Sequence, residues 1–204
     1  ALSHQSLQRE NRAYREHLEA TNRELKLGLD ELRADQQAGR HAQLRMLPEP
    51  LSMGDVSCEH KLQPSLMLSG DFLDFMEVDD DRLAFYIADV SGHGASSAFV
   101  TVLLKNLTYR LKRNFQRGSS DDILKPDLVL ARINSELLAS ELDKHLTMFY
   151  GVLTLSTGVL SYSVGGHFPM PVLISDGEAK FFEGRGMPVG LFKDAEYKSI
   201  DVEL

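Results

Sequence analysis

Two runs of strand-forming residues, 68–78 and 83–90, flank the acidic stretch Val78-Asp79-Asp80-Asp81. This arrangement restricts the chain more than any other feature. A polar, turn-forming cluster between two alternating runs reads as an antiparallel hairpin. With its centre near Asp80, pairing outward residue by residue sets Asp71 opposite Asp89. The two-residue period of the pleat puts Leu73, Phe75, Leu83, Phe85 and Ile87 on the same face as these acids. Opposed β-carbons on paired strands lie roughly 5 Å apart, where like charges repel, and desolvation adds to the cost. Such a pair either keeps a proton or holds a cation, and carboxylate oxygens suit Mg²⁺, Mn²⁺ or Ca²⁺ rather than zinc. The plainer alternatives are two acids solvated at the sheet's end, or a bulge that turns one away. By the same parity Asp74 belongs to the opposite face, near Tyr86, and Asp79-Asp80-Asp81 reads as a solvated turn.

Residues 1–46 are of a different kind. They are rich in Glu, Arg, Gln, Leu and Ala and contain no proline. Leu18, Leu25, Leu29 and Leu32 fall on a heptad seam, with Asn11 and Asn22 as its polar members. The pattern predicts one long helix of about 60 to 70 Å, ended by Leu47-Pro48 and Pro50. A face so narrow and otherwise polar reads either as a solvated linker or as a parallel coiled-coil dimer joining an upstream domain to this one.

From residue 47 onward the pattern predicts strands at 55–62, 68–78 and 83–90, then helices at 95–115 and 126–142. Further strands follow at 146–155, 158–163, 170–174, 180–182 and 197–202. Thr157-Gly158 and Asp176-Gly177 are hairpin signals. Strands, then two helices, then strands predict an α+β fold, a sandwich of sheets with the helices covering one or both outer faces. The net charge of −8 argues against nucleic acid as a sequence-independent partner. No run approaches a membrane span, and a single cysteine, Cys58, excludes an internal disulfide. A cytoplasmic setting is the simplest expectation.

Ser69-Gly70-Asp71-Phe72-x-Asp74 followed by Ala88-Asp89-Val90-Ser91-Gly92-His93-Gly94 resembles the bacterial metal-dependent serine phosphatases of the SpoIIE/RsbU type, relatives of protein phosphatase 2C. Leu44-x-x-Leu47-Pro48, Thr147-Met148-Phe149-Tyr150-Gly151, Gly166-His167-x-Pro169 and Gly186-Met187-Pro188-Val189-Gly190-Leu191 continue the likeness in order. The resemblance implies a four-layer αββα sandwich over residues 47–204 and a serine/threonine phosphatase that uses two Mn²⁺ or Mg²⁺ ions to activate a water. Carried over, Asp89 bridges the ions, Asp71 binds one, and Val90 offers its backbone carbonyl. Gly92, His93 and Gly94 form the turn that approaches the phosphate. The implied substrate is a phosphorylated anti-sigma-factor antagonist. The implied setting is an output domain driven through residues 1–46 by an upstream sensor or receiver domain.

The family's further aspartates follow the Gly-x-Pro-x-Gly-Leu loop, beyond Leu204, so half of the ligand set is expected in this sequence. Asp176-Gly177 lies upstream of that loop and reads as a turn. An alternative reading keeps the fold without catalysis, as an adaptor that docks a regulatory protein or sigma factor. A third makes residues 1–46 the functional part and the remainder a scaffold. His167 is expected to order a turn, as Met148, Phe149 and Tyr150 are expected to fill the core.

Overall fold

A computed structural model describes residues 4–63 and 68–204. The first three residues of the expected helix lie outside the described residues. Helix α1, His4–Leu44, is almost wholly solvent-exposed along its length. Its seam leucines Leu18, Leu25, Leu29 and Leu32 remain open to solvent.

The expected strand at 55–62 is instead a small ribbon of two strands, β1 (Leu51–Met53) and β2 (Val56–Cys58). Gly54, at φ +58°, reverses the chain between them, a conformation that glycine adopts without steric cost. Strands β3 (Asp71–Glu77) and β4 (Arg82–Val90) form the expected hairpin. Its turn is closed by a hydrogen bond from Val78 N to Arg82 O and by an ion pair of Arg82 with Asp79. Asp81 does more than face solvent: it accepts hydrogen bonds from Ser156 N (2.8 Å) and Ser156 Oγ (2.7 Å). That tie fastens the first hairpin to the second.

Helix α2 (Ala95–Gln116) and helix α3 (Pro126–Ala139) follow. α3 ends before the expected residue 142, and Glu141 and Asp143 then take positive φ. The remaining strands are β5 (Leu146–Thr154), β6 (Val159–Gly165), β7 (Val172–Ser175), β8 (Glu178–Phe181) and β9 (Ile200–Glu203). β3-β4-β5-β6-β9 make one antiparallel five-stranded sheet, while β1-β2 and β7-β8 are separate two-stranded ribbons. Asp176 and Gly177 form the β7-β8 turn, both at positive φ.

Alternation along the sheet separates two cores. Phe72, Ala84, Tyr86, Ala88, Val90, Met148, Tyr150 and Val152 pack against α2 and α3. Leu83, Phe85, Phe149, Leu153, Leu160, Tyr162 and Val164 pack on the other face against Leu51, Met53 and Val56 of the first ribbon, with Met170 and Phe182 beside the second. The α+β sandwich is therefore present as helices, central sheet and strand ribbons. No helix among the described residues is long and apolar enough to cross a membrane.

Candidate active site

The ladder between β3 and β4 pairs Asp71 with Asp89 and Asp74 with Tyr86. Both carboxylates of the first pair are exposed at the end of the sheet, on the face that carries the strand ribbons. No lysine or arginine among the described residues forms an ion pair with either one. Partial burial raises the Asp71 carboxyl above its ordinary range. The charge of Asp89 and a hydrogen bond shared with it act in the same direction, against the pull of His167. The pair is thus an acceptor-rich, repulsive spot, the chemistry that a hard divalent cation relieves. Two carboxylates alone do not enclose an ion, and the described residues contain no group of three histidine, cysteine or acidic side chains able to hold one.

Asp74, on the opposite face, is a different kind of acid. It is 2% exposed, and both of its oxygens accept from Lys105 Nζ at 2.8 Å. It joins the first hairpin to α2 and takes no part in the site.

The approaches to the acid pair are tightly built. Val90 N donates to Gly70 O at 3.2 Å, and a β-carbon on Gly70 would lie 2.5 Å from the Val90 carbonyl. Only glycine therefore lets β3 come this close to the end of β4. Ser69 accepts the Asp71 backbone N–H on its hydroxyl at 3.0 Å. Gln43, buried near the end of α1, donates from Nε2 to Ser69 O (2.7 Å) and to Thr101 Oγ1 (3.1 Å). Its Oε1 accepts from Ser69 N at 3.2 Å. The last turn of the exposed helix thus grips the residue two before Asp71, while also touching α2.

Beyond Asp89 the chain turns sharply. Gly92 and Gly94 have φ of +77° and +82°, with Gly94 as the N-cap of α2. His93 is exposed between them. The turn is held by Ser97 Oγ and Lys144 Nζ, which donate to Ser91 O at 3.0 and 3.1 Å. Ser91 N donates to His145 O. Lys144 belongs to no sequence motif; it reaches the turn from the loop before β5.

Thr147 is the β5 partner of Asp89, so Asp71, Asp89 and Thr147 make one transverse row on one face. His167 completes it: its Nδ1 lies 3.2 Å from Thr147 Oγ1. Burial lowers the affinity of the His167 ring for a proton, and the charges of Asp89 and Asp71 oppose this. The ring expected only to order a turn therefore stands beside the acids. The Gly186–Leu191 loop braces the same end of the sheet. Val189 and Leu146 exchange backbone hydrogen bonds, and Gly190 N donates to Asn134 Oδ1 at 2.7 Å. Val164 is buried in the core beneath the ribbons.

An antiparallel sheet backed by two helices, with an acid pair at its end and a glycine turn into a helix, fits the phosphatase 2C-type domain that the motifs resemble. The fold matches the SiaA-PP2C domain of Pseudomonas aeruginosa with a TM-score of 0.64, at 18% identity, over 87% of this chain and 69% of that one. It also matches RsbX in complex with magnesium, with a TM-score of 0.50 at 17% identity, over 76% of this chain and 65% of that one. The family model of stage II sporulation protein E, SpoIIE, matches residues 79–204, and the chain belongs to that family. Phosphoserine phosphatase RsbP of Bacillus subtilis (strain 168) is 28% identical over 165 residues, covering 78% of this chain. The chain spans 39% of the length of RsbP.

Proposed function

We propose that residues 47–204 are the metal-dependent domain of a protein serine/threonine phosphatase, and that residues 1–46 form its signalling helix. The observation that carries this reading is the register partnership of Asp71 with Asp89, two exposed acids whose repulsion a divalent cation removes. Asp89 and Asp71, with the Val90 carbonyl, are the groups of this chain that would hold Mn²⁺ or Mg²⁺. When bound, such ions supply a water of lowered pKa and neutralise charge on the phosphoryl oxygens. RsbX, solved with magnesium, supports the choice of a hard divalent ion.

The chain's own contribution is placement. Gly92 and Gly94 add no side chains to the turn after Asp89, and α2 begins immediately after it with no side-chain cap among the described residues, a helix N-terminus suited to a phosphate. Exposed His93 is within that turn and available to the leaving group. RsbP, a phosphoserine phosphatase by name, supports a phosphoserine or phosphothreonine substrate. We assign this to a cytoplasmic regulatory protein of the anti-sigma-factor antagonist kind. The test is Mn²⁺-dependent hydrolysis of a phosphoserine protein and of para-nitrophenyl phosphate by the full-length protein and its Asp89→Ala variant. A fall to background in the variant is expected, and equal rates would overturn the metal mechanism.

A second reading rests on the gathering of only two metal-capable side chains among the described residues. In it the domain is a silent adaptor that binds a regulatory protein or sigma factor. Calorimetric titration with Mg²⁺ separates the two, since the adaptor has no need to bind the ion. In the phosphatase reading α1 connects an upstream sensor or receiver domain to the site through the Gln43–Ser69 joint. Repacking of the helix then shifts the acid pair between two states. Unchanged activity and regulation after removal of residues 1–40 would exclude this role.

A further inference from the structure

A phosphoryl group brought to Asp71 and Asp89 needs hydrogen-bond donors as well as cations, because its oxygens are strong acceptors. The described residues offer few. No arginine or lysine among them pairs with either acid, and Lys144 is engaged with the Ser91 carbonyl. Two histidines of the sequence motifs lie nearby. His93 is exposed on the turn and has no hydrogen bond among the described residues, whereas His167 is half-buried and anchored.

Three features fix His167. Its ring is held through Nδ1 by Thr147, the third member of the transverse row with Asp71 and Asp89. Its backbone follows Gly166, which bridges Met148 of β5 and has φ +66°. A β-carbon at Gly166 would press on Pro188 at 3.1 Å, and one at Gly165 would meet Val189 at 2.5 Å. The loop is thus wedged between β5 and the 186–191 segment. Nε2, the other ring nitrogen, has no protein partner among the described residues.

We propose that His167 is a phosphate-binding residue that offers its Nε2–H to a phosphoryl oxygen held at the acid pair, and that Thr147 is the positioning residue that orients it. This rests on the phosphatase reading. In the proposed arrangement the Thr147 hydroxyl is the donor to Nδ1, 3.2 Å away, and the ring proton then lies on Nε2. The role is a hydrogen bond and consumes no proton in turnover. Gly165-Gly166 then has a use beyond the turn itself: it folds the chain tightly enough to return His167 across Thr147.

Long-range ¹H–¹⁵N spectra of the histidine rings in the full-length protein, titrated with inorganic phosphate in the presence of Mg²⁺, test the proposal directly. The His167 ring is expected in the Nε2–H tautomer, with its Nε2 signal moving on phosphate addition, and Thr147→Val is expected to weaken both effects. With a phosphoserine peptide, His167→Ala is expected to lower kcat/KM about tenfold or more, the size of one hydrogen bond to a charged group. His167→Gln, which keeps an amide donor near the Nε2 position, recovers part of that loss, and Mg²⁺ affinity stays unchanged in all three variants. A ring signal unmoved by phosphate, or wild-type kcat/KM in His167→Ala, overturns the proposal. If the unaltered protein neither hydrolyses the peptide nor binds Mg²⁺, the phosphatase reading fails by itself. The ring titration still decides whether His167 binds phosphate.

Discussion

Asp71 and Asp89 repel each other across one rung of the ladder, so in the absence of a cation this rung costs the domain stability. Replacing either by asparagine removes a like-charge cross-strand pair, a gain of about 0.5 kcal/mol on the scale of such pairs. Asp71→Asn is therefore expected to melt slightly higher than the parent in EDTA and to lose the rise in Tm that Mg²⁺ gives the parent, as thermal unfolding would show. The raised carboxyl of Asp71 sets the sign with pH. The folded state holds the proton more tightly than the unfolded chain, so relative stability is highest below the ordinary carboxylate value. It falls as pH rises through the raised one, and the advantage of Asp71→Asn in EDTA grows over the same interval. Asp74 obeys the opposite design, a buried acid answered by a lysine. Lys105→Met leaves that carboxylate without its partner, at a cost of about 3 kcal/mol. Burial already raises Asp74 against the lowering effect of Lys105, and removing the ammonium raises it further. The folded variant then gains by binding a proton, so urea melts should show the deficit to be smaller at pH 5 than at pH 8.

At the scale of elements, the joint between α1 and β3 is one amide side chain. Gln43→Leu would leave the half-buried N–H and C=O of Ser69 without their partners, a loss of about 1 kcal/mol for each, the low end for an unsatisfied group. Faster hydrogen exchange at Ser69 and Asp71 and weaker Mg²⁺ binding are expected, with exchange in β5 unaltered. The hairpin behind this site is legible in the sequence, because a turn and a two-residue period together fix register, and they set Asp71 against Asp89. Gln43 is not legible there: it is one of many polar residues on a mostly polar helix, and its partner lies 26 residues away. His167 is hidden for a related reason. Its position depends on how the segment after β6 folds back over β5, which no local period encodes. The ribbon at 51–58 mimics part of a single strand in sequence because one glycine at positive φ reverses it. Motif likeness reaches the 186–191 loop, but not its support by Asn134, a buried polar residue on the apolar face of α3.

For the whole molecule, the question of greatest consequence is what covers α1. Leu18, Leu25, Leu29 and Leu32 are 49%, 61%, 44% and 54% exposed along a helix of 41 residues. An isolated amphipathic helix of this polarity draws most of its stability from packing of its apolar face. A second copy in parallel places leucine against leucine and Asn11 and Asn22 against their own counterparts, and the two polar positions then fix the register at some cost in strength. Sedimentation equilibrium is expected to give a dimer for the chain and a monomer once residues 1–40 are removed. Leu25→Asn with Leu32→Asn should also give the monomer while leaving the sheet and Gln43 intact. A truncated chain that remained dimeric would move the interface to the folded domain. Exposed Phe99, Val102 and Tyr109 on α2 are the first residues to substitute in that case. If the seam does pair, the two α1 helices run side by side into Gln43 of each subunit. A twist applied at their far ends then reaches both acid pairs through the same hydrogen-bonded residue.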